Sequence, residues 1–429
     1  MSEKTVRVQL LLTGDELMSG DTVDSNSAMI AQHLAKQGLA PSRRVTLGDD
    51  RRRLIAELET ICASADVLLI NGGLGPTVDD LTAQVVAEAA GIALVEHPQA
   101  LTQLRDWCEQ RGLQVNAANR KQAILPQGCE LIDNPVGSAP GFSAEVQGCL
   151  VICTPGVPGE LRAMLPALSS LLAARFPVSQ QRLVLRLQTF GIGESTAQQL
   201  VDDHHPDWPA SVALSFRAGA PQLEIKLSVE NEAALPERAA CREKLEALFG
   251  DHIIGEGDIR LAGRVIELAR EQGRQISCAE SCTGGSIAAM ITQIAGASEV
   301  FPGGIVSYSN ALKKRLLGVR ESTLEQHGAV SEETVREMLL GVLQATDADL
   351  AVAVSGIAGP GGGSADKPTG TAWLAWGDAN SIETVCLCWP VERMLFQTMV
   401  SAAGLDMLRR RLAGIPGEPH YFERRRVRS

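Results

Sequence analysis

A chain of 429 residues exceeds what one hydrophobic core organises; at roughly 150 residues per domain it should fold as two or three. Hydrophobic residues at 45% and charged residues at 21% exclude a disordered chain, and no apolar run approaches the roughly 18 residues of a membrane span. A net charge of −12 with only 3% aromatic residues argues against direct nucleic-acid binding, because the field repels phosphate and stacking platforms are scarce.

Residues 1–5 are polar and run straight into a strand-like stretch, so they do not read as a signal peptide, and the cytoplasm is the expected compartment. The ten cysteines form no C-x-x-C pair and no histidines cluster beside them. Neither a zinc site nor a disulfide framework is expected, and most thiols should be buried and idle.

In chain order, residues 6–12 form an apolar run that ends in the turn Thr13-Gly14-Asp15-Glu16. A helical stretch follows through Met29, Ile30 and Leu34, closed by Gly38. Residues 67–70 are a second apolar run, followed by the turn Asn71-Gly72-Gly73-Leu74-Gly75-Pro76-Thr77; residues 150–153 are a third, closed by Thr154-Pro155-Gly156. Strand, glycine-rich turn and helix in succession spell an open parallel sheet, placed at residues 1–170. Such a turn can cradle phosphate, and Asp79 and Asp80 after it can hold a divalent metal or simply start a helix.

From 171 to 256 the pattern becomes alternating strands, as at residues 223–227, with a helix over 237–249, a small α+β module. Gly255-Glu256-Gly257 reads as a linker. A third region, 257–415, opens with a helix over 261–272 and a short strand around Ile276. Ser331 caps a further helix whose Val335, Met338, Leu339, Val342 and Leu343 share one face. Residues 350–354 form a buried strand that opens into a glycine-rich loop, 355–364. The basic tail, 416–429, is expected to be a solvated end.

The chemistry concentrates in the third region. In Ala279-Glu280-Ser281-Cys282-Thr283-Gly284-Gly285-Ser286, the Ser281 hydroxyl stands before a helix, where free backbone N–H groups can hold an oxyanion. Gly284 and Gly285 allow a ligand to approach the backbone. Serine needs a base, and Lys313 can serve if desolvation keeps its amine neutral. The plainer alternative is a capping serine and a surface lysine. The loop from Ser355 suits a phosphate or ribose. Cys282, beside a helix N-terminus, is a rival nucleophile.

The segments AESCTGG, YSNALKK, SGIAGPGGGS and KPTGT, in that order over residues 260–410, resemble the C-terminal domain of the competence/damage-inducible CinA family, known as nicotinamide mononucleotide deamidase. The resemblance implies hydrolysis of that nucleotide to nicotinic acid mononucleotide and ammonia, without metal or cofactor. Ser281 would fall on the nucleophile and Lys313 on the general base. Cys282, Thr283, Gly284, Gly285, Ser298, Tyr308, Ser355, Gly356, Gly359 and Arg393 would fall on substrate-binding positions. Two departures stand out: Ser355 replaces a threonine, and Gln397 stands where a second arginine usually follows Arg393.

The first region is similar to the molybdopterin-binding, MoaB/MogA-like open sheet in its CinA version, through the turns above and through Asn119-Arg120-Lys121-Gln122 and Asn134-Pro135-Val136-Gly137. That likeness implies an ADP-ribose pyrophosphatase dependent on Mg, Mn or Co, with Asp15, Gly73, Gly75, Asp79, Asp80, Asn119 and Lys121 as phosphate or metal contacts, and Asp79 and Asp80 as metal ligands. The expected architecture is therefore multidomain α/β, ending in an α/β amidase domain. Small nucleotides are the expected partners, with no nucleic acid and no membrane, and the family resemblance implies a homodimer. The alternative is a non-catalytic nucleotide-binding or DNA-uptake-associated protein.

Overall fold

The segment VQLLLT buries all six of its side chains, which only a strand covered on both faces can do. It belongs to the first of two units into which the computed structural model divides, Met1–Arg182 and Leu183–Ser429; residues 6–176 and 183–427 are described. The strands of the first unit are β1 (Val8–Thr13), β2 (Pro41–Leu47), β3 (Val67–Asn71), β4 (Leu94–Glu96), β5 (Ile124–Pro126), β6 (Glu130–Ile132), β7 (Gly141–Val146) and β8 (Cys149–Thr154). Its helices are α1 (Asp15–Ser19), α2 (Asn26–Ala35), α3 (Arg51–Cys62), α4 (Thr82–Ala90), α5 (Pro98–Glu109), α6 (Ala117–Lys121) and α7 (Pro158–Arg175). Helix α7 carries this unit past the expected boundary at 170.

The main sheet has the order β2-β1-β3-β8-β7-β6, with β2, β1, β3 and β8 parallel and the β7–β6 edge antiparallel; β4 and β5 pair apart from it. Leu54, Leu58, Val85 and Phe142 fill one face, and Ile30, Leu34, Leu161 and Met164 the other. Successive crossovers leave β1 in opposite directions, so a crevice opens at the carboxyl ends of β1 and β3. Gly72 lines it with φ +112°, and a Cβ there would lie 2.4 Å from the Thr13 carbonyl oxygen, so only glycine fits.

The second unit begins with β9 (Leu183–Phe190), α8 (Glu194–His204), β10 (Ala213–Ala218), β11 (Gln222–Val229), α9 (Leu235–Phe249) and β12 (Ile253–Glu256). They form an antiparallel sheet, β10-β11-β9-β12, with Leu187, Ile225 and Leu227 packed on Val201 and Leu245 of the helices. The expected linker at 255–257 is instead structured: Gly255 and Glu256 belong to β12, and the Gly257 amide donates to the Arg186 carbonyl at 2.9 Å.

The unit continues through α10 (Leu261–Glu271), β13 (Ile276–Glu280), α11 (Ser286–Thr292), β14 (Gly303–Val306), α12 (Asn310–Leu317), α13 (Glu321–His327), α14 (Glu332–Thr346) and β15 (Leu350–Gly356). It closes with β16 (Thr371–Asp378), β17 (Ser381–Cys388), α15 (Arg393–Ala413) and α16 (Tyr421–Arg425). The sheet order is β14-β13-β15-β16-β17, with the first three strands parallel and the last two antiparallel. Helices α10 and α15 cover one face and α14 the other, its apolar stripe buried and Ser331 capping the Thr334 amide at 3.3 Å, as the sequence pattern predicts.

The tail is not a solvated end over its described residues. Tyr421 and Phe422 are buried, edge-on to Phe190 and Trp376 at centroid distances of 5.2 and 6.3 Å, and Arg426 bridges Leu387. Two aromatic side chains bury enough apolar area to hold a short basic segment down.

Candidate active site

Strand β13 ends at Glu280, and Ser281 is the first residue beyond it, its amide donating to the Val354 carbonyl at 3.0 Å. The neighbouring strand β14 ends at Val306, in register with Glu280, so the chain leaves both strands at the same edge of the sheet. It then passes Ser307 and Tyr308 into α12, where the Ser309 hydroxyl caps the Leu312 amide at 3.2 Å. Lys313 sits in the first turn of that helix. Its Nζ lies 2.8 Å from Ser281 Oγ and 2.8 Å from the Ser307 carbonyl oxygen.

Lys313 is 1% exposed, and no carboxylate among the described residues pairs with it. Burial disfavours the ammonium, and the lysine is lowered to about 8. A lysine at that value can take a proton from a hydroxyl near neutral pH. The surface-lysine alternative does not hold.

Cys282 is 4% exposed, and burial pushes its thiol up to about 12. A thiol held protonated is no nucleophile. Cys282→Ala is therefore expected to keep turnover within about threefold of the parent, measured as product formed per enzyme, since neither the base nor the serine is touched.

A cavity of about 180 Å³ opens over the pair. Of the residues expected to bind substrate, Cys282, Tyr308, Ser355, Gly356 and Arg393 line it with Ser281 and Lys313. Arg393 reaches across its mouth, donating to the Gly359 carbonyl at 2.7 Å and to the Tyr308 hydroxyl at 2.9 Å, which leaves further guanidinium donors for an anion. The Ser355 hydroxyl donates to the Ala329 carbonyl at 2.7 Å and so acts on the wall behind the ligand. Sequence reasoning missed Ala329, Val330 and Ala358, apolar wall residues without any chemical signature, and Asn310, which stood inside YSNALKK.

Three expectations need correction. Ser298 is exposed and precedes β14, while Ile276 at the start of β13 donates its amide to Val300. Parallel strands place Ser298 at the opposite edge of the sheet from Ser281. Gly284 and Gly285, at φ +65° and +101°, serve the turn, and neither they nor the buried Thr283 line the cavity. The helix amides expected to receive an oxyanion are already occupied: Glu280, fully buried, folds forward and accepts from the amides of Gly285 at 3.0 Å, Ile287 at 3.1 Å and Ala288 at 2.9 Å. A lone acid beside the serine was the only sequence signal for this. Gln397 lies outside the cavity lining and donates to the Cys282 carbonyl at 2.9 Å, bracing the same turn.

In the first unit, Asp80 accepts from the Thr77 amide at 2.7 Å and from its hydroxyl at 2.5 Å, and a Cβ on Gly75 would lie 2.6 Å from that carboxylate. Lys121 donates to the carbonyls of Thr77 and Asp80, and Asn119 caps nothing in this turn, its amide donating to Asn116. Asp15 and Asp49 bond each other's amides at 3.1 Å after β1, and Gly73 completes the turn with φ +64°. Among the described residues no three acidic, cysteine or histidine side chains converge on a point fit for a metal. Asp80 is engaged in closing its own turn, with Asp79 exposed beside it.

Residues 258–412 match the CinA C-terminal domain family, and residues 9–174 match the probable molybdopterin binding domain family. Over 427 residues the chain is 47% identical to a CinA-like protein of Colwellia psychrerythraea, covering 98% of each. It is 36% identical over 410 residues to a protein of Shewanella oneidensis named nicotinamide-nucleotide amidohydrolase PncC, covering 95% of this chain and 96% of that one. Among solved structures, the competence/damage inducible protein CihA of Agrobacterium tumefaciens is 43% identical, covering 34% of this chain and 91% of its own, with a TM-score of 0.34. Both expected folds, the MoaB/MogA-like first unit and the CinA domain in the second, are thereby present. Matched in both halves by these domains and along nearly its whole length by such a relative, the chain belongs to the CinA family.

Proposed function

We propose that the second unit is an amidohydrolase that converts nicotinamide mononucleotide and water to nicotinic acid mononucleotide and ammonia, in the salvage of pyridine nucleotides. The observation that carries this reading is the 2.8 Å contact between a buried, carboxylate-free lysine and a serine at the floor of a cavity. The amidohydrolase name of the Shewanella oneidensis relative supports the substrate. Neutral Lys313 takes the Ser281 proton as Oγ bonds to the carboxamide carbon. The ammonium then returns that proton to the departing ammonia, leaving a Ser281 ester. Water, deprotonated by the same amine, releases the acid and restores the serine. Arg393 at the mouth suits the 5′-phosphate. No helix among the described residues is long and apolar enough to cross a membrane.

Ammonia release from nicotinamide mononucleotide by the full-length protein tests this directly. Because the base works only when neutral, and its value in the free protein is about 8, kcat/KM should rise with pH, level off above that midpoint and fall at lower pH. The fall should be about tenfold per unit below the midpoint. A flat or falling profile between pH 6 and 8 would exclude lysine as the base.

For the first unit, the glycine crevice at the carboxyl ends of β1 and β3 supports binding of the diphosphate of ADP-ribose. Assay of ADP-ribose with Mg²⁺, Mn²⁺ or Co²⁺ separates a pyrophosphatase, which releases AMP, from a nucleotide-binding module, which does not.

A further inference from the structure

Eight backbone amides run from Ser281 to Ala288 around the nucleophile turn, and six have partners. Ser281 donates to Val354, Gly284 to the Ser281 carbonyl and Ser286 to the Thr283 carbonyl, while Gly285, Ile287 and Ala288 donate to the Glu280 carboxylate. Thr283 remains without a backbone or side-chain acceptor among the described residues, and Cys282 has none beyond its own sulfur.

Glu280 is itself unusual. It is fully buried and paired with no lysine or arginine among the described residues; its one further contact is the Cys278 thiol, which donates at 3.6 Å. A buried carboxylate is tolerated only where donors satisfy it, and here main-chain N–H groups do so. Its main chain is fixed as well, in register with Val306 on one side and Val354 on the other. The residue immediately before the nucleophile is therefore clamped in its main chain by two strands and in its side chain by the helix that follows.

We propose that Glu280 is the positioning residue of this site: by engaging the first amides of α11 it folds the turn so that the amide of Cys282, which lines the cavity beside Ser281, receives the substrate oxygen. The proposal rests on Ser281 acting as nucleophile. As Oγ bonds to the carboxamide carbon, the carbonyl pair moves onto oxygen and the serine proton onto Lys313. The negative oxygen then needs N–H donors, and the helix amides already committed to Glu280 cannot supply them. Gln397, which holds the Cys282 carbonyl at 2.9 Å, steadies the same peptide from the other side.

The test is steady-state deamidation by full-length Glu280→Gln and Glu280→Asp, with thermal melting to count folded enzyme. A glutamine turns N–H groups toward amides that need an acceptor, so kcat should fall about 100-fold with KM within about threefold. The shorter aspartate keeps the charge without the reach, and its kcat should fall about tenfold. The pH midpoint near 8 should not move, because burial lowers the value of Lys313 and Glu280 is not among its causes. A kcat within about threefold of the parent for Glu280→Gln overturns the proposal, as does a loss confined to KM or a displaced midpoint. If neither variant folds, Glu280 serves the fold alone and the proposal is likewise overturned. Ser281→Ala measured alongside separates the two failures: full turnover there removes the nucleophile assignment itself, whereas its loss beside an active Glu280→Gln removes only the positioning role.

Discussion

Ser281→Ala and Lys313→Ala are each expected to reduce ammonia release from nicotinamide mononucleotide by about 10⁴-fold or more, because nucleophile and base work as one unit. The fold should survive both changes. The serine variant deletes one hydroxyl, and the lysine variant removes an amine whose burial already disfavours its charge. Lys313→Arg sharpens the test. It keeps a long cationic side chain, but a guanidinium stays protonated throughout the accessible pH range and cannot accept the serine proton. Its turnover should be as low as that of the alanine variant. Near-parental turnover in Lys313→Arg would show that charge, not basicity, is what the position supplies.

The second large effect lies away from the chemistry. Asp406, 2% exposed, accepts from Arg409 at 2.7 Å and from the Tyr421 hydroxyl at 3.1 Å. Arg409 continues to the Asp251 carbonyl at 2.7 Å, and Arg410 pairs with the Asp251 carboxylate. One buried acid thus ties α15 to both the antiparallel module and the C-terminal helix. Asp406→Ala leaves the buried Arg409 guanidinium without its carboxylate and the Tyr421 hydroxyl without its acceptor, and should cost about 3–5 kcal/mol in denaturant unfolding of the second unit. A loss below about 1 kcal/mol would mean that water replaces the carboxylate, and the network would then carry little of the stability.

The reactive pair was legible through the family resemblance of the segments that carry it, while local signals alone, a strand and a serine in a glycine turn, left a capping serine and a surface lysine open. The stripe of α14 was legible from its own residues, since a 3.6-residue period needs no knowledge of the partner. What escaped depends on how distant segments meet. The position of Ser298 follows from strand direction, the role of Glu280 from a side chain that folds forward over five to eight residues, and the docking of Tyr421 and Phe422 from a face of β16 and β17 formed far earlier in the chain. Helix α15 is buried so completely that Asp406, Arg409 and Arg410 lie inside the core, and no amphipathic stripe marks it. Asp79 and Asp80 read equally well as metal ligands or helix-starting acids; Asp80 in fact closes its own turn.

Strand β14 has four residues and, among the described residues, only one neighbour, β13. Ser281 departs from one of these strands and Lys313 hangs from the segment beyond the other, so the alignment of their main chains acts as a ruler for the reaction. A slip of two residues would displace one end by about 6.6 Å, more than twice the distance over which a proton can pass. The proposed reactivity is therefore written into a short outermost ribbon: fraying or mispairing there would silence the site while every side chain in it remained chemically intact.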